Sequence, residues 1–281
     1  MRDKNTVFQQ KLSLNIRGNL MDLSKPKIMA ILNLTPDSFY DGGKNTDPLK
    51  KAAELLGQGA DILDLGAYSS RPGAEHISEQ EEHNRLIPVI RSILKEFPDA
   101  ILSVDTFRAG IARAAADSGA HMINDISGGG LDPEMFRTAA ELKLPYILMH
   151  MRGNPRTMTS ETYYQDVTTE VCRYLALKID QLKDLGLNDL IVDPGFGFAK
   201  TPDQSYELLK NLEHLKITGC PVLAGLSRKS MIYKLLGTDA SHALNGTSAA
   251  NTIALLKGAN ILRVHDVKEA TEVIRIVEKV I

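Results

Sequence analysis

The sequence predicts an α/β protein folded as a single (β/α)8 TIM barrel spanning residues 1–281. Eight short apolar runs recur along the chain, helical apolar stripes lie between them, and no Pro- or Ser-rich linker divides the sequence. Near-continuous Ile, Leu and Val without strict alternation marks strands buried on both faces, which favours a parallel sheet. Strands alternating with helices over this length match one barrel better than two domains. A doubly wound sheet would also alternate, but with fewer strands and commonly a Gly-rich dinucleotide turn after the first.

The N-terminal extension, residues 1–26, holds a weakly alternating segment at 11–17 that is expected to form a hairpin closing the barrel's bottom. The apolar runs then follow at 27–33, 61–66, 100–105, 121–125, 145–150, 189–193, 221–225 and 260–264. Between them, Ser78-x-x-Glu81 is a capping box opening a helix, which Pro88 is expected to break or kink. Val167, Val171, Leu175, Ile179, Leu182 and Leu185 give one stripe of a long helix ending at Gly186. Val267, Ala270, Val273, Ile274, Val277 and Val280 give another after the last strand.

With 43% hydrophobic and 24% charged residues the composition is globular, which excludes collagen, a coiled-coil rod and disorder. Lys and Arg number 33 against 35 Asp and Glu, a formal net charge of −2 without long like-charge runs, so no basic nucleic-acid surface is expected. The two cysteines, Cys172 and Cys220, form no C-x-x-C, so neither a disulfide framework nor a zinc site is signalled and the compartment reads as reducing. The first ten residues are polar, and no stretch approaches the roughly 20 apolar residues that cross a bilayer. A soluble, cytoplasmic protein with no membrane partner is expected.

In a barrel the loops after the strands' C-terminal ends build the active site, and polar residues stand at nearly every such end. They are Asn33, Asp105, Asn124 with Asp125, His150, Asp193, Ser227 with Arg228 and Lys229, and Arg263 with His265. Any one of these aspartates reads equally well as a helix cap, but their convergence on one mouth is more than stability requires. Three loops add to them: residues 33–43, polar and Gly-bearing like a lid; residues 67–74, with hydroxyls and Arg71; and residues 193–200, whose Phe196 and Phe198 suit a flat ring or the rim. Arg71, Lys229, Arg263 and His265 suit phosphate oxygens, whereas Asp105, Asn124 and Asp193 offer the acceptors that an amino-pyrimidine edge requires. Neither a P-loop nor a G-x-G-x-x-G is present, and Gly225-Leu-Ser-Arg-Lys229 lacks the closing glycine of a nucleophile elbow. His76, His83, His121, His214 and His242 show no metal-ligand spacing.

At these residues the chain resembles the dihydropteroate synthases, transferases of the folate pathway. The resemblance rests on Asn33-Leu-Thr-Pro-Asp-Ser-Phe39, Ser69-Ser-Arg-Pro-Gly-Ala74, Ser103-Val-Asp-Thr106, Ile123-Asn-Asp-Ile-Ser127, Leu148-Met-His-Met151, Asp193-Pro-Gly-Phe-Gly-Phe198, Ser227-Arg-Lys-Ser230 and Arg263-Val-His-Asp266, in family order. It implies a (β/α)8 barrel that joins 6-hydroxymethyl-7,8-dihydropterin diphosphate to 4-aminobenzoate, releases diphosphate with Mg2+ assistance and is a sulfonamide target. By the same resemblance Asp105, Asn124, Asp193 and Lys229 hold the pterin, flanked by Met149 and Phe198. Asn33 helps bind Mg2+; Ser70, Arg71, Arg263 and His265 hold the diphosphate; and Pro72 and Ser230 border the aminobenzoate. Asp105, Lys229 and Arg263 are the catalytic set, with Asp105 facing a carbocation-like transition state. A homodimer is also implied. The second loop departs from the family's Gly-Gly-Glu-Ser-Thr-Arg-Pro-Gly: this chain has Gly66-Ala-Tyr-Ser-Ser-Arg-Pro-Gly73, so Ala67, Tyr68 and Ser70 differ.

Two other readings remain at this point, a corrinoid-linked pterin methyltransferase and a catalytically silent pterin-binding module. The first has no need of a diphosphate cradle, against which residues 33–39 and 70–72 argue. The intact Asp105, Lys229 and Arg263 argue against the second.

Overall fold

Alternate residues of a strand face opposite ways, and in this chain that parity separates the side chains inside the barrel from those that meet the surrounding helices. The computed structural model describes residues 10–34, 40–41, 44–45, 47–68 and 76–280. It opens with β1 (Ser13–Ile16) and β2 (Asn19–Asp22), an antiparallel hairpin. Arg17 and Gly18 between them both take positive φ, 49° and 94°, as a two-residue turn matched to strand twist requires. The hairpin expected from residues 11–17 is therefore present but spans 13–22, its second strand lying beyond the alternating segment.

The barrel follows. Its strands are β3 (Lys27–Asn33), β6 (Ile62–Gly66), β7 (Ile101–Asp105), β8 (Met122–Asp125), β9 (Tyr146–Met149), β10 (Leu190–Asp193), β11 (Leu223–Ala224) and β12 (Ile261–Val264). All eight pair in parallel, in the order β10-β9-β8-β7-β6-β3-β12-β11, and a parallel bridge between Val192 and Val222 joins the two ends. A short hairpin of β4 (Tyr40–Asp41) and β5 (Lys44–Asn45) decorates the first loop. The helices are α1 (Pro48–Gly57), α2 (Glu79–Glu96), α3 (Ala109–Asp117), α4 (Met135–Leu142), α5 (Val167–Asp184), α6 (Pro202–Lys210), α7 (Ser230–Leu235), α8 (Leu244–Leu256) and α9 (Val267–Val277). Each expected apolar run is a strand.

Met29, Ile62, Met122, Ile147, Ile191, Leu223 and Ile261 form one buried apolar layer, with Ile101 packed against it, so every barrel strand contributes one residue. Leu14, Ile16, Met21 and Leu23 pack onto this layer, and the N-terminal hairpin thereby stops the barrel's lower end. Residues of opposite parity, such as Ile28, Leu63, Leu102, Leu148 and Leu262, join the helices in the main core. Ser78 caps α2, its Oγ accepting from the Glu81 N–H at 3.1 Å, while the Glu81 carboxylate turns to Arg85. Pro88 does not break α2: Leu86, Ile87, Ile90 and Ile93 are buried along it and hold the helix against the loss of one backbone bond.

Candidate active site

Two positions above the apolar floor, the same strand faces carry Asp64, Ser103, Asn124, Met149, Asp193, Gly225 and Arg263; two further on they carry Asn33, Gly66 and Asp105. The polar residues at the strand ends therefore enter one basin because they share the floor's parity. The two glycines open it. A Cβ on Gly66 would lie 3.3 Å from the Asp105 Cβ, a tight contact to which the Asp105 side chain would have to yield by a few tenths of an ångström.

On one side of the basin Arg263 joins two strands. Its Nε donates to Asp64 Oδ2 at 2.6 Å and its Nη2 to Asp105 Oδ2 at 2.6 Å. Asn124 Nδ2 also donates to Asp64 Oδ2, at 2.9 Å. Asp64 is the functional residue that sequence reasoning missed, because it lies inside an apolar run rather than at its end. Parity counted back from Gly66 through Asp64 to Ile62 was the signal that could have found it. Arg263 was expected on diphosphate; two of its nitrogens are committed to carboxylates, which leaves Nη1 for an anion among the described contacts.

Asp193 and Lys229 face this group across Gly225. A Cβ built on Gly225 would lie 3.8 Å from Asp193 Oδ2 and 4.0 Å from both Lys229 Nζ and the Arg263 Cβ, so these residues surround one small volume. Asp193 Oδ1 accepts the Gly195 N–H at 2.7 Å. Lys229 Nζ donates to the Phe196 carbonyl and sits 4.7 Å from the centre of the Phe198 ring. Phe198 thus lines the basin, whereas Phe196 is fully buried in the main core and is not available to stack on a ligand. Met149 belongs to a small apolar cluster with Ile126, Met151, Met158 and Ala199, against which Phe198 packs.

Behind Asp193, Lys200 is buried and donates to the carbonyls of Gly195 and Phe198 at 3.0 and 2.9 Å, with His150 Nδ1 at 2.9 Å. These bonds fix the Gly-rich loop that carries Phe198. His150, noted as a strand-end residue, is a support buried against Tyr174 rather than a ligand group. Asp125 likewise faces away from the basin, accepting the Ser127 and Gly129 N–H groups and the Tyr146 hydroxyl.

At the rim, Arg228 binds both oxygens of Asp266, at 3.0 and 2.7 Å, and ties the loop after β11 to the loop after β12. Ser227 Oγ accepts the His265 N–H at 3.2 Å and lies 2.9 Å from His265 Nδ1. Ser230 opens α7 next to Lys229. Ser70, Arg71 and Pro72 lie outside the described residues. The departing Tyr68 just before them packs edge-on to Phe107 at 5.0 Å and lies 5.6 Å from the Arg108 guanidinium, and Arg108 is anchored by the buried Glu82. The aromatic ring that replaces the family's glutamate is therefore built into the wall.

Burial sets the protonation of the basin. It pushes the Asp105 carboxyl up to about 7, against the pull of Arg263 and with the repulsion of Asp64, Glu82 and Asp125 added. Burial also raises Asp193, opposed by Lys229, and lowers Lys229 to about 8, opposed by Asp193. Burial acts against the Arg263 charge, but Asp64 and Asp105 outweigh it and hold the guanidinium protonated. His150 is driven down to about 2 by burial and then by Lys200, so its imidazole is neutral.

Among the described residues no three His, Cys, Asp or Glu side chains gather into a metal cage. Asn33, half-buried, ends β3 level with Gly66 and, one strand further, Asp105. Asn33 offers one neutral amide oxygen, which could serve a Mg2+ ion that keeps most of its waters and is held chiefly by substrate phosphates. The residues fit Mg2+ in that limited sense.

The chain is similar over nearly all of its length to proteins of one family. The family model described as pterin binding enzyme matches residues 29–265. The dihydropteroate synthase of Escherichia coli (strain K12) is 44% identical over 272 residues, covering 95% of this chain and 96% of the relative. Among solved structures, a Yersinia pestis dihydropteroate synthase in complex with a sulfonamide drug matches with a TM-score of 0.90 at 42% identity, covering 95% of this chain and 98% of that one. A Xanthomonas albilineans dihydropteroate synthase in complex with 7,8-dihydropteroate matches with a TM-score of 0.85 at 37% identity over the same shares.

Proposed function

The chain belongs to the pterin-binding enzyme family, its activity is that of a dihydropteroate synthase, and on that premise we propose how its residues divide the work. Asp193, Asn124 and Lys229 hold the pterin. Asp193 accepts from the 2-amino group and the adjacent ring N–H, Asn124 offers its amide oxygen because its nitrogen is committed to Asp64, and Lys229 donates to the ring's oxygen edge. Met149 and Phe198 border the ring. His265, Arg263 through Nη1, Ser70 and Arg71 receive the diphosphate, and Pro72 and Ser230 border the 4-aminobenzoate.

The reaction breaks the bond between the pterin methylene carbon and the diphosphate oxygen, and the electron pair leaves with diphosphate. Positive charge appears on the methylene and spreads into the pterin ring. Asp105, ionised and fixed by Arg263, stabilises it, and a carbocation-like displacement results. The amine of 4-aminobenzoate supplies its lone pair to the methylene and then sheds one proton, giving 7,8-dihydropteroate without a covalent enzyme intermediate. Mg2+, held by Asn33 and the substrate, supplies charge neutralisation on the departing group when bound.

We also propose a homodimer. α8, Leu244-Asn-Gly-Thr-Ser-Ala-Ala-Asn-Thr-Ile-Ala-Leu-Leu256, carries no charged residue, and Ile253 and Leu256 on it are exposed together with Leu235 and Leu236 at the end of α7. No described helix is long and apolar enough to cross a membrane, and the proposed place of action is the cytoplasm. The place of this enzyme among sulfonamide targets follows the drug-bound Yersinia pestis relative.

The observation that carries these roles is the convergence of Asp193, Lys229 and Arg263 around the volume left by Gly225, with Asp105 bonded to Arg263. The test mixes purified protein with pterin diphosphate, 4-aminobenzoate and Mg2+ and measures dihydropteroate and diphosphate together. Equal amounts of both are expected. Pterin binding without diphosphate release would instead favour the silent module or the methyltransferase.

A further inference from the structure

Asp64 is wholly buried, and the mechanism above uses it only as the partner of the Asn124 amide. Its Oδ2 accepts from Arg263 Nε at 2.6 Å and from Asn124 Nδ2 at 2.9 Å, so one oxygen fixes two residues of the basin. Its Oδ1 is buried without a partner, and so is the Oγ of Ser103, its register neighbour on β7. Such a charge is held at a desolvation cost and persists only where partners compensate it. The partner that compensates it is Arg263, and Arg263 has a second carboxylate, Asp105, on its other limb.

We propose that Asp64 is a positioning residue for the transferase reaction: it neutralises Arg263 from beneath, so that the charge of Asp105 is left for the substrate, and it turns the Asn124 amide so that the oxygen faces the pterin. The inference rests on the activity assigned above. Two carboxylates share one guanidinium. Without Asp64 the full charge of Arg263 would fall on Asp105 and cancel the field that a developing carbocation needs. Asp105 also feels the charges of Glu82 on α2 and of Asp125 at the end of β8, and Glu82 is itself bound by Arg108 and Thr106.

The test is Asp64→Asn, assayed for kcat, pterin affinity and the pH profile. The amide oxygen can still accept from Arg263 and Asn124, so the variant removes the charge while keeping both of these bonds. The expected loss in kcat is about 10- to 100-fold, the usual effect of removing a group that orients a primary ligand. Pterin affinity should change less than kcat. The acidic limb of the pH profile should move down by about one unit, because a like charge is removed and Arg263 is released to Asp105. A lower melting temperature with an unmoved acidic limb would overturn the proposal, as would unchanged kcat. The Arg263→Gln background gives a second reading even where Asp64→Asn alone does not fold. There the added Asp64→Asn should lower kcat no further, because the charge it balanced is gone, and losses that multiply would refute the idea. The unaltered enzyme in the same assay separates the two levels: failure to form dihydropteroate would sink the assigned activity, whereas a normal rate beside a normal Asp64→Asn rate would sink only the role of Asp64.

Discussion

Replacing Asp105 by Asn removes one negative charge while keeping the shape of the side chain. In the folded protein that carboxylate is bonded to Arg263 Nη2 at 2.6 Å and stands above the plane of Asp64. A full positive charge about 5 Å from it, at an effective dielectric of about 20, is stabilised by about 3 kcal/mol, and a half-developed charge by about half as much. Lost from the transition state alone, this lowers kcat by between about 13-fold and about 160-fold. On the assignment proposed above the pterin is held by Asp193, Asn124 and Lys229, so its affinity should stay within a few-fold. Unfolding is not expected. The carboxyl is pushed up to about 7, so its ionisation disfavours the folded state as pH rises from the ordinary carboxylate range through 7, and Arg263 retains Asp64 in the variant. The assay is steady-state turnover with both substrates from pH 5.5 to 9, alongside calorimetric titration with a non-reacting pterin. Unchanged turnover would refute the electrostatic role, and loss of pterin affinity in proportion to kcat would move Asp105 from the transition state to simple binding.

The unaltered enzyme should show a bell-shaped kcat/KM, rising through about 7 as Asp105 ionises and falling through about 8 as Lys229 deprotonates; an activity flat from pH 6 to 9 would contradict both assignments. Arg263→Ala should weaken diphosphate-bearing substrate more than plain pterin in competition binding, and by leaving Asp64 and Asp105 unpaired it should cost about 3–5 kcal/mol of stability, read in urea unfolding. Gly225→Ala places a methyl 3.8 Å from Asp193 Oδ2 and 4.0 Å from Lys229 Nζ, ordinary contacts in the folded chain. Its melting temperature should therefore hold while pterin affinity falls at least about tenfold, the effect of filling a slot meant for a flat ring.

How far the sequence could be read follows from what each feature owes to distant parts of the chain. Strands buried on both faces declare themselves as apolar runs, because each residue answers only to burial, and all eight were legible for that reason. Asp105, Asn124, Asp193 and Arg263 were legible because they end or nearly end those runs. Asp64 was not, since an aspartate between two leucines looks like a local exception until parity and closure are applied together. Closure brings Arg263 to it from 199 positions away. Pro88 was read from local chemistry as a break or kink, and the break is absent because a buried face holds a helix through a single missing bond. Lys200 with His150 shows the same limit, as a pairing across 50 positions leaves no periodic trace.

That contrast also accounts for how the basin is built. The groups proposed to touch substrate stand at or near strand ends, where loops can vary, while the groups that hold them, Asp64 beneath Arg263 and Lys200 beneath the Gly-rich loop, are sealed in the barrel wall. A buried lysine bonded to two loop carbonyls makes a stiff support, since its removal strands those oxygens away from water. Lys200→Met should accordingly cost about 2–4 kcal/mol of stability, roughly one unsatisfied-group penalty for each carbonyl, and should loosen Phe198 against Met149. Urea unfolding reads the first effect, and the temperature factors of the loop in a crystal of the variant read the second. A variant that unfolds like the parent would show that the loop is held by its own backbone geometry, and the buried amine would then need another explanation.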